Sequence, residues 1–235
     1  MPDFARFDTR NYPTVPVRDG YRDWASTYED TVEDAMDIAL LERIESVPFG
    51  SATRIADLGC GTGRTGAWLQ SKGNAQLHGV DLTDAMLARA KERGIYTGLR
   101  EASVGDSGLP SGEFDVVTCC LVDEHLDDLQ PLYTEAARLL RPGGHYVHLG
   151  FHPFFIMKSG MPTHFDHPTR GSLALDTNIH LYSDHVRCGT NAGLTQMEMH
   201  ERVIDDEWLQ LKPKWARHRD WPVSFVSVWR SSEIS

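Results

Sequence analysis

The stretch Ile55-Ala56-Asp57-Leu58-Gly59-Cys60-Gly61-Thr62-Gly63 constrains the fold more than any other. A strand-like run enters three alternating glycines, and a helical pattern follows from Thr65 to Ser71. Glycine lets a backbone turn tightly and lets a ligand approach where a Cβ would collide. A strand, a glycine turn and a helix in that order point to a nucleotide-like cofactor at the carboxyl end of the strand. The next strand pattern, Leu77 to Val80, ends in Asp81, 22 residues after Gly59. An acid there suits the two hydroxyls of a ribose. Asp81 also suits the cap of the helix that starts at Thr83, so both roles stay open at this point.

The alternation continues along the chain. The pattern predicts a helix from Thr83 to Arg93 closed by Gly94, a strand from Phe114 to Cys120, and a helix from Pro131 to Leu140. Arg141-Pro142-Gly143-Gly144 reads as a turn, and His145 to Gly150 as a strand. Strands alternating with short helices mean βαβ units and a parallel sheet. Residues 1–20 read as an irregular arm. Val32, Ala35, Met36, Ala39, Leu40 and Ile44 lie on one face of a helix that starts at Thr31. Residues 151–182 show no sustained periodicity and read as a long lid. A helix is expected from Ser183 to about Asn191, then strands at Leu194–Val203 and Pro222–Trp229. The implied parts are 1–50 as arm and cap helix, 51–150 as cofactor core, 151–182 as lid, and 183–235 as the segment that completes the sheet.

Charge and composition exclude some classes. Lys and Arg total 23 against 34 Asp and Glu, a formal charge of −11 over 235 residues. Such a surface repels phosphate backbones and anionic membranes, so neither nucleic acid nor membrane is an expected partner. No apolar run nears the ~20 residues of a membrane span, and the first 20 residues lack an apolar core. Cys60, Cys119, Cys120 and Cys188 form no C-x-x-C pair and read as reduced thiols, so a cytoplasmic location is expected.

Gly61-Thr62-Gly63-Arg64-Thr65-Gly66 also satisfies the dinucleotide pattern G-x-G-x-x-G. Three features oppose a nicotinamide cofactor. Asp57 would repel a pyrophosphate but suits an ammonium group, the surrounding charge is acidic, and no second mononucleotide-binding half follows.

With these residues in order, the chain resembles the class I S-adenosylmethionine-dependent methyltransferases. Asp57-x-Gly59-x-Gly61-x-Gly63 resembles that family's first motif. Asp81 with Leu82 and Met86 resembles its ribose-binding motif, and Asp106-Ser107 falls where the family places an acid that meets the adenine amine. Phe114-Asp115-Val116-Val117 and Leu139-Leu140-Arg141-Pro142-Gly143-Gly144 resemble its fourth strand and the turn before its fifth. Tyr21-x-x-Trp24-Ala25-x-x-Tyr28 resembles the segment that closes over the cofactor's methionine end. The likeness covers residues 20–150 by motif and 183–230 by layout, and is nearest to the small-molecule group that includes quinone-biosynthesis methyltransferases. It implies a Rossmann-like seven-stranded sheet, mostly parallel, with helices on both faces and an antiparallel last strand inserted beside the fifth. It implies S-adenosyl-L-methionine as cofactor, with Tyr28, Asp57, Gly59, Gly61, Gly63, Asp81, Leu82, Met86, Asp106, Ser107 and Cys120 holding it.

Methyl transfer is an in-line displacement with a neutral leaving group, so the protein mainly positions the nucleophile and excludes water. A base is needed when the acceptor carries a proton that must leave. The acceptor belongs beyond the fourth core strand, where this chain has Glu124-His125 and the family often has His-His. His125 is the candidate base and Glu124 its partner or a grip for a cationic acceptor. Both also fit a plain loop before the next helix. Trp24, His152, Phe155, His164, Tyr182 and Arg217 are the candidate acceptor-binding residues. His152, His164, His167, His180, His185 and Asp166 match no zinc spacing, so no metal is expected. Lys212, Lys214, Arg217 and Arg219 form one basic run that suits an anionic acceptor or a solvated face. The expected activity is methylation of a small molecule at oxygen, nitrogen or an activated carbon. The alternatives are a non-catalytic module that binds the cofactor or S-adenosylhomocysteine, and a protein methyltransferase. Monomer and homodimer stay open.

Overall fold

The computed structural model of the chain describes residues 2–31 and 35–233, so Val32 of the expected first helix lies outside them. Its elements in chain order are β1 (Thr14–Val15), α1 (Val17–Trp24), α2 (Ile38–Leu41), β2 (Arg54–Leu58), α3 (Arg64–Lys72), β3 (Gln76–Asp81), α4 (Asp84–Glu92), β4 (Tyr96–Glu101), β5 (Phe114–Cys120), α5 (Gln130–Leu139), β6 (Leu140–Phe151), α6 (Pro153–Ser159), β7 (His164–His167), β8 (Gly171–Leu175), α7 (Tyr182–Asn191), β9 (Leu194–Val203), α8 (Asp206–Leu211) and β10 (Pro222–Ser231). Short 3-10 turns join several of them.

Seven strands form one sheet in the order β4-β3-β2-β5-β6-β10-β9. β2 pairs parallel with β3 and β5, β3 with β4, and β5 with β6. β10 runs antiparallel between β6 and β9, which is the expected inserted last strand. Successive residues on a strand face opposite sides. Ala56, Leu58, Val117 and Tyr146 therefore enter one core with Leu132, Tyr133 and Trp229. Ile55, Val116 and Val147 enter the other with Leu40, Leu41, Trp68 and Leu69. The strand order reverses between β2 and β5, which places a ligand crevice at their carboxyl ends.

Four regions differ from the sequence expectation. β4 was not expected: Tyr96-Thr97-Gly98-Leu99-Arg100-Glu101 is a half-exposed edge strand, paired on one side only, so it lacks the apolar run of a central strand. Arg141 to Gly144 lie inside β6, not in a turn before it. A bulge absorbs them, because Phe114 pairs with Leu140 while Val116 already pairs with His145. Among the described residues of the helix expected from Thr31, α2 alone is α-helical, with Asp37 at its N-cap accepting from the Ile38 amide. The arm and lid are ordered and belong together. β1 pairs with β8, and β8 with β7, in a three-stranded sheet, while α1 packs on it through Trp24, Phe165, Leu173 and Leu175. Gly20 inside α1 permits this approach, since a Cβ there would fall 2.0 Å from Leu175 Cδ2.

The packing of α7 gives a stability test. Glycine inside a helix normally costs ~0.5–1 kcal/mol against alanine. At Gly189 an added Cβ would lie 2.6 Å from the ring of Trp229, itself 1% exposed. Overpacking costs ~1–3 kcal/mol, which exceeds the helix gain. Gly189→Ala is expected to lower the urea midpoint with unchanged slope, and a raised midpoint would show that Trp229 yields freely.

Candidate active site

The glycine loop follows β2 as expected. Gly59, Gly61 and Gly63 have φ of +70°, +52° and +86°, the left-handed region that glycine enters without cost. Gly63 stands at the N-cap position of α3. A Cβ at Gly61 would meet nothing within 4 Å, so the loop borders open space there. At Gly59 a Cβ would fall 2.4 Å from Val122 Cγ2. The loop thus touches the turn after β5, two residues from Glu124.

Asp81 ends β3, half-buried, and organises this loop. Its Oδ2 accepts from the Gly61 amide at 2.9 Å, and its Oδ1 from the amide and hydroxyl of Thr83 at 3.0 and 2.9 Å. Burial raises its carboxyl above the usual range, and those donors offset part of the rise. Asp57 lies deeper, 1% exposed. Tyr96 donates to its Oδ2 at 2.7 Å and Thr118 to its Oδ1 at 2.8 Å. Burial pushes Asp57 up to about 6, against those two hydrogen bonds and together with the charge of Asp81. The folded state therefore holds the proton more tightly than the unfolded chain. This group adds stability that is full below its unfolded pKa of 3.8 and is lost as pH rises through about 6. The loss is ~2–3 kcal/mol, at about 1.4 kcal/mol per unit. Asp57→Asn is expected to flatten that part of a stability profile taken from pH 4 to 8, and an unchanged slope would assign it to other groups.

The remaining residues expected near the cofactor divide. Leu82 follows Asp81 half-buried, and Cys120 ends β5 against the α2–α3 side of the core. Met86 is 1% exposed on α4. Asp106 sits on an exposed turn. Ser107 is fully buried, and its amide and hydroxyl both donate to Glu135, so its hydroxyl is already committed.

Beyond the turn after β5 lies a cavity of about 560 Å³. The arm, the lid and the 212–218 segment close it. Of the expected acceptor residues, Trp24, Phe155, His164 and Arg217 line it. His152 and Tyr182 do not. Both bond Glu201 of β9, at 3.1 and 2.9 Å, and His152 also caps α6. Tyr28 lines the cavity beside Trp24. Lys214 of the expected basic run and its neighbour Trp215 line it as well, and so do Arg10 and Tyr21, which were not singled out as acceptor residues. Among the described residues no ion pair engages Arg10, Lys214 or Arg217.

Glu124 faces this cavity at 2% exposure. Its Oε1 accepts from Thr163, and its Oε2 has no hydrogen-bond partner. Burial raises its carboxyl above the usual range, against the neighbouring His125. His125 stands one step behind the wall. Its Nδ1 lies 2.8 Å from the Asp176 carbonyl, which only accepts, so Nδ1 carries the hydrogen. Its Nε2, 2.9 Å from the Tyr21 hydroxyl, then accepts from Tyr21 in the neutral ring. Burial and the nearby acids hold the Tyr21 phenol well above its ordinary value. Tyr21 thus stands between the cavity and His125, as hydrogen-bond donor to the imidazole.

The sequence model of the family described as "Methyltransferase domain" matches residues 56–148. With the fold and the loop, this assigns those residues to the class I S-adenosylmethionine-dependent methyltransferases. A ubiquinone biosynthesis O-methyltransferase of Dechloromonas aromatica is 37% identical over 97 residues, 39% of this chain and 41% of that protein. Human methyltransferase-like protein 27 is 35% identical over 106 residues, 41% and 42% of the two chains. The chain thus spans about two fifths of the length of these curated relatives. Among solved structures, an S-adenosylmethionine-dependent methyltransferase from Mesorhizobium loti superposes with a TM-score of 0.67 at 23% identity, over 86% of this chain and 99% of the other. The [4+2]-cyclase SpnF does so with 0.64 at 15%, over 95% and 99%. Among the described residues no helix is long and apolar enough to cross a membrane.

Proposed function

We propose that this chain transfers the methyl group of S-adenosyl-L-methionine to a small acceptor that combines an apolar or aromatic body with an anionic group. The observation that carries the reading is the pairing of two sites across one contact. The glycine loop, open at Gly61 and latched to Asp81, meets the turn of the acceptor cavity at Gly59 and Val122. Gly59, Gly61, Gly63 and Asp81 would hold the nucleoside end of the cofactor, and the carboxylate of Asp57 favours its ammonium. When bound, the cofactor supplies an electrophilic methyl group.

The chain's own residues do the rest. Trp24, Phe155 and Trp215 enclose the acceptor body and exclude water. Arg10, Lys214 and Arg217 attract its anionic group. Tyr21 hands the acceptor's proton to His125 as the nucleophile forms. The curated relatives named as ubiquinone biosynthesis O-methyltransferases support an acceptor oxygen.

A second reading, a cofactor-binding module that does not methylate, has one observation behind it: the similar fold of a protein named as a [4+2]-cyclase. One experiment separates the two. The purified protein is given methyl-labelled S-adenosylmethionine with a panel of small aromatic and aliphatic acids and their neutral analogues. Label in the acids, lost in Asp81→Ala, is expected. Label in protein would overturn the acceptor class. Cofactor binding without transfer to any acceptor would favour the non-methylating module.

A further inference from the structure

Behind the turn that carries Glu124 and His125 lie three side chains that the proposed methyl transfer does not use. Asp123 precedes Glu124, His148 comes from β6, and His185 from α7. They are 4%, 0% and 2% exposed. Asp123 Oδ1, His148 Nε2 and His185 Nε2 have no hydrogen-bond partner. A buried polar atom without a partner costs ~1–3 kcal/mol, and two imidazole nitrogens left so beside one buried carboxylate need a reason.

The geometry points to a binding site for one divalent transition-metal ion, ligated by Asp123, His148 and His185. Each residue offers a ligand atom, and these atoms lie within 4.8 Å of one another. His148 Nε2 is 3.7 Å and His185 Nε2 3.6 Å from Asp123 Oδ2. Ligands held at tetrahedral distances of 2.0–2.2 Å stand about 3.4 Å apart, so the two separations from Asp123 need only small closure.

The surroundings match what such a site requires. A ligating imidazole uses one nitrogen and is oriented through the other by an outer partner. The Tyr146 hydroxyl meets His148 Nδ1 at 3.2 Å, and the Tyr133 hydroxyl meets His185 Nδ1 at 2.9 Å. With hydrogen on each Nδ1, the tautomer a metal would select, both hydroxyls accept from it and each Nε2 lone pair is free for the ion. The Asp123 carboxylate fits because position 150 is glycine; a Cβ there would fall 2.4 Å from Asp123 Oδ1. Two imidazoles and one carboxylate suit zinc or ferrous ion and leave a further position open. The ion would pin β6 and α7 to the turn whose next residue, Glu124, faces the acceptor cavity.

The test uses the full chain, stripped with a chelator, dialysed and titrated with Zn²⁺ alone. One ion per chain and a rise in Tm of roughly 5–15 °C at saturating ion are expected, as for a ligand present at many times its Kd. Asp123→Asn and His185→Gln keep side-chain shape and are expected to lose both signals. Tyr133→Phe removes only the hydroxyl on His185 and is expected to weaken ion binding ~10–100-fold even if those two variants fail to fold. Well under one ion per chain with an unmoved Tm would overturn the site. Full affinity in Tyr133→Phe, or in both ligand variants, would place the ion elsewhere and overturn it equally. The readouts are metal content and Tm, so failure of the methyl-transfer reading leaves them untouched.

Discussion

His125→Ala is expected to lower methyl transfer by ~10²–10⁴-fold while leaving cofactor affinity almost unchanged, the range that a positioned proton acceptor contributes. The reason is the wiring, not the identity of the residue alone. The Asp176 carbonyl takes the Nδ1 hydrogen, so Nε2 is left to receive a proton from Tyr21. Tyr21 lines the cavity, and burial keeps its phenol protonated, so it serves as a conduit and not as a standing base. Tyr21→Phe breaks the same path. If the two residues act in series, each single variant loses about as much as the double, because a broken relay is not broken twice. The loss should fall on kcat, with the acceptor's KM little changed, and added imidazole should restore part of the activity of His125→Ala. Additive losses, or a fall in cofactor affinity and Tm with kcat intact, would return both residues to plain packing.

That relay shows where sequence reasoning stops. The segment Tyr21 to Tyr28 was expected to close over the cofactor's methionine end, with His125 as a candidate base, and the structure lines the cavity with Tyr21, Trp24 and Tyr28. The contact of Tyr21 with His125 joins residues 104 apart, and no spacing encodes it. The sheet core was legible because β2, β3 and β5 are buried apolar runs punctuated by glycine and aspartate. β4 was not, since an edge strand needs a partner on one side and tolerates Thr97, Arg100 and Glu101. The lid hid its order for a related reason. β7 is a short strand whose Phe165 packs on Trp24, a residue from the other end of the chain. His152 and Tyr182 were expected in the cavity from their place in the 151–182 lid, yet the sheet edge supplies Glu201 and draws both away. Asp123, His148 and His185 converge from three elements, so a search by local histidine spacing meets His185 and passes over Asp123 and His148.

Asp81→Ala is expected to weaken S-adenosylmethionine binding by roughly 10- to 150-fold, the equivalent of the ~1.5–3 kcal/mol carried by hydrogen bonds to a charged group. Two losses add. The ribose hydroxyls lose an ionised acceptor, and the Gly61 amide loses the bond that holds the loop in its open form. Thr83 also loses both of its contacts to the carboxylate, which frees the entry to α4. The second variant, Asp81→Asn, separates charge from architecture. Its amide oxygen still accepts from Thr83, so the helix entry and Tm should be largely kept. Its NH₂ group sits where Oδ2 accepted from Gly61 and cannot accept there. Calorimetry should therefore rank affinity as wild type, then Asn, then Ala, with Tm falling mainly in Ala. Equal affinity in all three would mean that Asp81 only shapes the turn, and the ribose would have to be sought elsewhere along the crevice. Loss of affinity in Asn as large as in Ala, with Tm preserved, would instead assign nearly the whole effect to the carboxylate charge and the Gly61 latch.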